Sequence, residues 1–202
     1  MKTIGIIGAM EVEVAILKEK MEDVRIIKKA SMDFYEGILA GKKVVVVRSG
    51  IGKVNAGICA QILADVFSVD AIINTGIAGS LNKNINIGDI VLSTDVVQHD
   101  MDATGFGYRK GQIPQMPVFF FNADDNLRRL AAEVCKEVNP DIQVFEGRIA
   151  SGDQFVCDQG VKDNIVKEFS AYAVEMEGAA IGQAAALNGI PFLIIRAISD
   201  KA

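Results

Sequence analysis

Several short runs in this chain are apolar at consecutive rather than alternate positions: IGII (4–7), VVVV (44–47), AII within DAIINTG (70–76) and FLII within PFLIIRAIS (191–199). A strand with water on one face alternates apolar and polar residues, whereas a strand that is apolar throughout needs cover on both faces. These runs alternate with longer helical patterns at Glu11 to Met21, VNAGICAQILADVF (54–67), DDNLRRLAAEVCKEV (124–138) and EGAAIGQAAALNG. Asn122 or Asp124 is a suitable cap for the third, and Gly189 is a stop signal for the last. FYEGILA and KKVVVVRSG read as two strands joined at Gly41-Lys42. IGDIVLSTDVV (87–97), IQVFEGRIASGD and AYAVEME supply further strands. The alternation predicts an α/β fold with helices on both faces of a mainly parallel sheet. The polar, Gly-rich segment 99–117 is the longest irregular stretch, and loops of that length in compact domains serve binding or interfaces.

With 202 residues, half of them hydrophobic, the expectation is a single domain spanning residues 1–202. The net charge of −5 repels phosphate backbones, which argues against a nucleic-acid partner. No run approaches the roughly 20 apolar residues of a membrane span. Glu11 and Glu13 interrupt the apolar N-terminal segment, so a signal peptide is not expected and a cytoplasmic protein without a membrane partner is. Cys59, Cys135 and Cys157 have neither the even number of a disulfide framework nor the spacing of a zinc site.

The motifs that suggest nucleotide binding do not hold up. GIIGAM has Gly5 and Gly8 but not the GxGxxG pattern, and two carboxylates follow where a pyrophosphate would sit. SGIGKVNAG has valine after Gly52-Lys53 where a phosphate loop needs serine or threonine. His99, Asp100 and Asp102 form a thin ligand set with one histidine, so no metal is expected.

In α/β folds ligands collect at the carboxyl ends of strands. That rule selects GAMEVE, RSGIGK, NTGIAGS, SGDQFV, VEMEG and RAISD, and with them Glu13, Glu177 and Asp200. Singly, each acid has a structural explanation. Glu13 suits a helix N-terminus, Glu175 and Glu177 could flank a strand-to-helix turn, and Asp200 could be a cap. Together they converge on one sheet edge, where they could serve as general acid and general base. In an ideal strand Arg196, Ile198 and Asp200 share a face, and Arg196 could pair with a nearby carboxylate.

In chain order, GIIGAMEVEV, SGIGKVNA, NTGIAGS, INIGDIV, ATGFGYRKGQIP, SGDQF, AVEMEGAA and RAISD resemble the bacterial 5′-methylthioadenosine/S-adenosylhomocysteine nucleosidases of the nucleoside phosphorylase superfamily. The resemblance implies a three-layer α/β/α sandwich around a twisted mixed β-sheet, of the phosphorylase/hydrolase-like kind, usually a homodimer and without a cofactor. It implies irreversible hydrolysis of the N-glycosidic bond of both nucleosides, releasing adenine and a thioribose, in methionine salvage and recycling of S-adenosylmethionine by-products. By the same resemblance Asp200 is the acid that protonates the purine, Glu13 activates water, and Glu177 grips the ribose with Met176 beside it. Phe155 stacks on adenine, the backbone of Val156 reads its edge, and Gly79 lies near base and ribose. Arg196 and Ser199 orient the carboxylates, and Met10 and Ile51 line the thio end. Phe106 and Pro114 reach into the partner subunit's pocket.

Ile77 and Ser80 depart from residues common in that family. Its members continue past the equivalent of Ala202 into a loop and a last helix, which this chain is expected to lack. A carboxylate at Glu13, with no basic residue before Lys18, suits water as nucleophile rather than phosphate. The rival readings are a futalosine-type nucleosidase and a nucleoside-binding protein; mere binding would need neither Glu13 nor Asp200.

Overall fold

A computed structural model describes residues 2–202. In chain order the elements are β1 (Thr3–Gly8), α1 (Glu11–Glu19), β2 (Glu22–Lys29), β3 (Met32–Leu39), β4 (Lys42–Arg48), α2 (Lys53–Asp65), β5 (Ala71–Ser80), β6 (Ile90–Gln98), a 3-10 turn (Thr104–Phe106) and β7 (Phe121–Asn122). They continue with α3 (Asp125–Val138), β8 (Val144–Ser151), α4 (Gln159–Phe169), β9 (Ala173–Glu175), α5 (Gly178–Leu187) and β10 (Phe192–Asp200).

The consecutive apolar runs do lie between two covered faces. Val44, Val45, Val46 and Val47 are all buried. Val45 and Val47 join the main core with Ile7, Leu63, Ile72, Ile181, Leu193 and Ile194, whereas Val44 and Val46 point the other way, against Val14 of α1. Helices therefore cover both faces, with α2 packed against α5 on the larger core. Asp124 caps α3 as expected: its carboxylate accepts from the Leu127 amide at 2.8 Å. No helix among the described residues is long and apolar enough to cross a membrane.

The sheet corrects one expectation. It is mixed, not mainly parallel. Parallel pairings join β1 to β4 and β5, β5 to β10, and β8 to β6 and β9. Antiparallel ones join β3 to β2 and β4, β10 to β6, β6 to β7, and β5 to β9. Because β5 bonds both β9 and β10, the path β10-β6-β8-β9-β5 returns on itself and closes like a barrel, with β1-β4-β3-β2 as an open wing.

Strand β5 is the seam. Its first part, Ala71–Asn74, pairs with β1, and its last residues, Gly79 and Ser80, pair with β9. Between them the two neighbours diverge, and on that side the backbone of residues 75–78 faces the start of α1. NTGIAGS is therefore strand through to Ser80.

Two elements give little signal in the sequence. Strand β2 is almost wholly exposed and charged, and it pairs with β3 as the sheet's outer edge. Such charges discourage edge-to-edge association. Helix α4 buries only Ile165 and Phe169, so its apolar stripe is narrow; Asp158 caps it by accepting from the Val161 amide at 3.0 Å.

Leu63 of α2 is fully buried in the main core. Leu63→Ala should therefore lower the unfolding free energy by about 2–5 kcal/mol, read from urea denaturation.

Candidate active site

The six strand ends selected from the sequence meet at one cavity of about 210 Å³. Met10 and Glu13 line it from the start of α1, Ile51 from the loop after β4, and Ile77 and Gly79 from β5. Phe155, from the loop after β8, closes it together with Met176 and Glu177 from the β9–α5 turn and Ser199 and Asp200 from β10.

Glu13 sits in the first turn of α1, where its carboxylate bridges two backbone donors. The Met10 amide donates at 2.9 Å and the Ile77 amide, in the stretch of β5 between its two neighbours, at 3.1 Å. The helix-terminus explanation of this residue is thus true but incomplete, because the same carboxylate fills a gap in the sheet. Gly76 makes the approach possible. A Cβ there would overlap both the Arg196 guanidinium and the Glu13 carboxylate.

Arg196 is fully buried, 1% exposed, and its direct partner is Glu175. Glu177 lies at 3.6 Å, and Asn74 accepts from the guanidinium at 2.6 Å. Asn74 in turn donates to the Ile7 carbonyl at 2.9 Å, which ties the cation to β1 and β5 together. Glu175 also accepts from the Ser151 hydroxyl and from the Gly178 amide at 2.8 Å. None of Glu175, Asn74 and Ser151 was singled out from the sequence as a functional residue. Asn74 carries a legible signal, a lone amide inside an apolar strand. Glu175 carries a weaker one, a carboxylate at the end of an apolar strand, two residues before Glu177.

Glu177 is buried and accepts one backbone hydrogen bond, from the Gly52 amide at 2.9 Å. Burial raises its pKa from the usual 4.5 to about 7, and the Glu175 carboxylate adds to the rise against the opposing pull of Arg196 and the Gly52 amide. The Gly52 amide is well anchored. Gly52 has φ +97, a conformation glycine adopts freely, and it starts α2. The next residue, Lys53, donates its amide to Asp153 at 2.7 Å and its ammonium to Asp100 at 2.6 Å.

Asp100 therefore serves this ion pair, while Asp102 accepts from Thr104 at 2.7 Å. The two acids that follow His99 hold different partners.

At the end of β10 the register against β5 shifts between Ile198 and Asp200. This bulge corrects the expectation that Arg196, Ile198 and Asp200 share one face. Arg196 and Ile198 point into the core, but Ser199 and Asp200 both border the cavity. The Ser199 hydroxyl donates to Asp200 at 2.7 Å, and the Ala202 amide donates to its other oxygen at 2.7 Å. Phe155 is 73% exposed at the rim, and the neighbouring Val156 is buried beside a small recess shared with Gly79, Met176 and Asp200. Phe106, 87% exposed on the 3-10 turn, and Pro114 lie outside the cavity of their own chain.

The pattern that defines the Phosphorylase superfamily matches residues 3–202. The 5′-methylthioadenosine/S-adenosylhomocysteine nucleosidase of Anoxybacillus flavithermus is 49% identical over 200 residues, covering 98% of this chain and 85% of the relative. The chain belongs to this nucleosidase family. A crystal structure of the nucleosidase from Colwellia psychrerythraea in complex with adenine superposes with a TM-score of 0.95 at 44% identity, covering all of this chain and 83% of the other. The nucleosidase from Neisseria meningitidis in complex with methylthio-immucillin-A gives 0.94 at 44% identity, covering all of this chain and 87% of that one.

The shifted proton on Glu177 has a thermodynamic signature. Between about pH 4.5 and about 7 the folded state binds more protons than the unfolded one, so this group makes stability fall as pH rises through that window. Glu177→Gln cannot ionise and should gain stability relative to the unmodified chain across the same window. Urea unfolding at several pH values measures the difference, and parallel curves would mean that no such shift exists.

Proposed function

We propose that this chain hydrolyses the N-glycosidic bond of 5′-methylthioadenosine and S-adenosylhomocysteine, releasing adenine and the corresponding thioribose. The observation that carries the reading is the charge of the cavity: its ionisable lining residues, Glu13, Glu175, Glu177 and Asp200, are all carboxylates. Such a wall disfavours a phosphate nucleophile and tolerates the positive charge that builds on a departing sugar. The buried cation nearby, Arg196, is already engaged by Glu175.

In this mechanism Asp200 gives a proton to N7 of the purine as the C1′–N9 bond breaks and its electron pair passes to the base. Water adds its oxygen to C1′ and yields its proton to Glu13. Glu177 accepts from the ribose hydroxyls, with Met176 against the sugar. Phe155 stacks on the adenine, the backbone of Val156 pairs with its edge, and Gly79 leaves room between base and ribose. Met10 and Ile51 take the thio-substituent. Ser199 holds Asp200, and Arg196 acts on Glu177 chiefly by holding Glu175 beside it. No cofactor is required.

The working unit in this reading is a homodimer of cytoplasmic single-domain subunits, in which Phe106 and Pro114 of one chain cover the thio end of the other. The exposure of Phe106, Ile51 and Val54 supports it, since each leaves a large apolar surface uncovered in the single chain. The helices on either face of the mixed sheet form the outer layers of a three-layer α/β/α arrangement, curled here by the closure at β5.

The test is adenine release from methylthioadenosine with and without inorganic phosphate. Release should be independent of phosphate, and dependence on it would overturn the role of Glu13. Asp200→Asn should lower kcat by about 10²–10⁴-fold while nucleoside binding persists, because a general acid contributes in that range. Glu13→Gln should also lower kcat with binding retained. Near-normal turnover in either variant would remove that residue from the mechanism.

A further inference from the structure

A second cavity, of about 440 Å³, adjoins the first and shares Ala9, Met10 and Ile51 with it as common wall. The recess beside Phe155 and Asp200, the base end in the proposed reading, includes neither Met10 nor Ile51 among its walls. The junction of the two cavities therefore lies away from the base, where Met10 and Ile51 receive the thio-substituent.

The two cavities differ in chemistry. The ionisable lining residues of the first are all carboxylates, whereas the second presents both signs, with Arg48 and Glu11 among its walls beside Ser31 and Asn55. Arg48 is the last residue of β4, in register with Gly8 of β1, so its backbone is fixed by the sheet. Its guanidinium stands 3.8 Å from Glu11, beyond hydrogen-bond distance, and its side chain is 57% exposed. Glu11 is held in place by Lys18 at 2.8 Å. Asn55 donates its side-chain amide to the Ile51 carbonyl at 2.7 Å, which leaves its side-chain oxygen as an acceptor.

We infer that this second cavity is a subsite for an α-amino-acid headgroup carried on the substrate's thio-substituent, with Arg48 binding the carboxylate and Glu11 the ammonium. The inference rests on the proposed nucleosidase reading and deepens it. A guanidinium offers a planar fork of donors that matches a carboxylate, and a zwitterion satisfies an adjacent cation and anion at once. The headgroup of S-adenosylhomocysteine has this chemistry. The methyl group of methylthioadenosine has no polar atom to place there and ends at the wall formed by Met10 and Ile51. Arg48 is accordingly a specificity residue, acting on one substrate of the pair.

The experiment compares the two nucleosides on the full chain and on Arg48→Ala and Arg48→Lys. Arg48→Ala should raise KM for S-adenosylhomocysteine about tenfold with little change in kcat, the pattern of an interaction made equally in ground and transition states. Its kinetics with methylthioadenosine should stay within about twofold, which also shows that the variant is folded. Arg48→Lys should fall between, because it keeps the charge and loses the fork. Equal losses for both substrates, or no loss for either, would overturn the subsite. Calorimetric binding of each nucleoside separates the two readings: if the unmodified chain released no adenine, the hydrolytic reading would fail, and the effect of Arg48→Ala on the ratio of the two affinities would still decide this one.

Discussion

One buried cation organises the acidic end of this molecule. Arg196 sits among Glu175, Glu177 and Asn74 with almost no exposure to water. A charge so placed is tolerable only when paired and hydrogen-bonded, and removing one partner of such a group strands the other. Glu175 takes the direct contact and a set of backbone and hydroxyl donors besides. Glu177 is left at the margin of the same cation, buried beside a like charge, and its proton affinity rises accordingly. The two acids on either side of Met176 thus have different electrostatic lives. One holds the buried guanidinium by direct contact, and the other has its pKa raised by burial to about 7.

The second organising feature is the parting of β1 and β9, successive partners along one edge of β5. A sheet normally occupies its own backbone donors. Here the Ile77 amide is released from strand pairing on that side and given to Glu13. The helix that carries Glu13 can reach it because Gly76 has no side chain to obstruct the approach. On the far wall, Lys53 joins the start of α2 to both Asp100 and Asp153, which relates the position of Gly52, and so of Glu177, to the loop carrying Phe155. The cavity is therefore framed by backbone as much as by side chains.

Much of this was legible in the residues. Consecutive valines in β4 announced a strand covered on both faces, and the six strand ends that meet at the cavity stood out by their place alone. What was not legible has physical causes. Strand β2 is an edge with its side chains in water, so no burial pattern marks it. Helix α4 buries only Ile165 and Phe169, with Val161 partly buried against the same cluster. The closure of the sheet depends on β5 having partners on both sides along its length, which is a property of twist and register that no local window contains. The bulge before Asp200 likewise arises from pairing with β5, and strict alternation along RAISD could not anticipate it.

The closure of the sheet through β5 and β10 also bears on how the chain acquires its shape. That pairing joins segments far apart in sequence, and contacts of this kind must overcome a large loss of chain entropy before they contribute stability. The cavity draws on residues from both ends of the chain, so no early folding intermediate built from local hairpins and helices contains it. The pocket is complete only when β10 has docked, because Ser199 and Asp200 arrive with that strand.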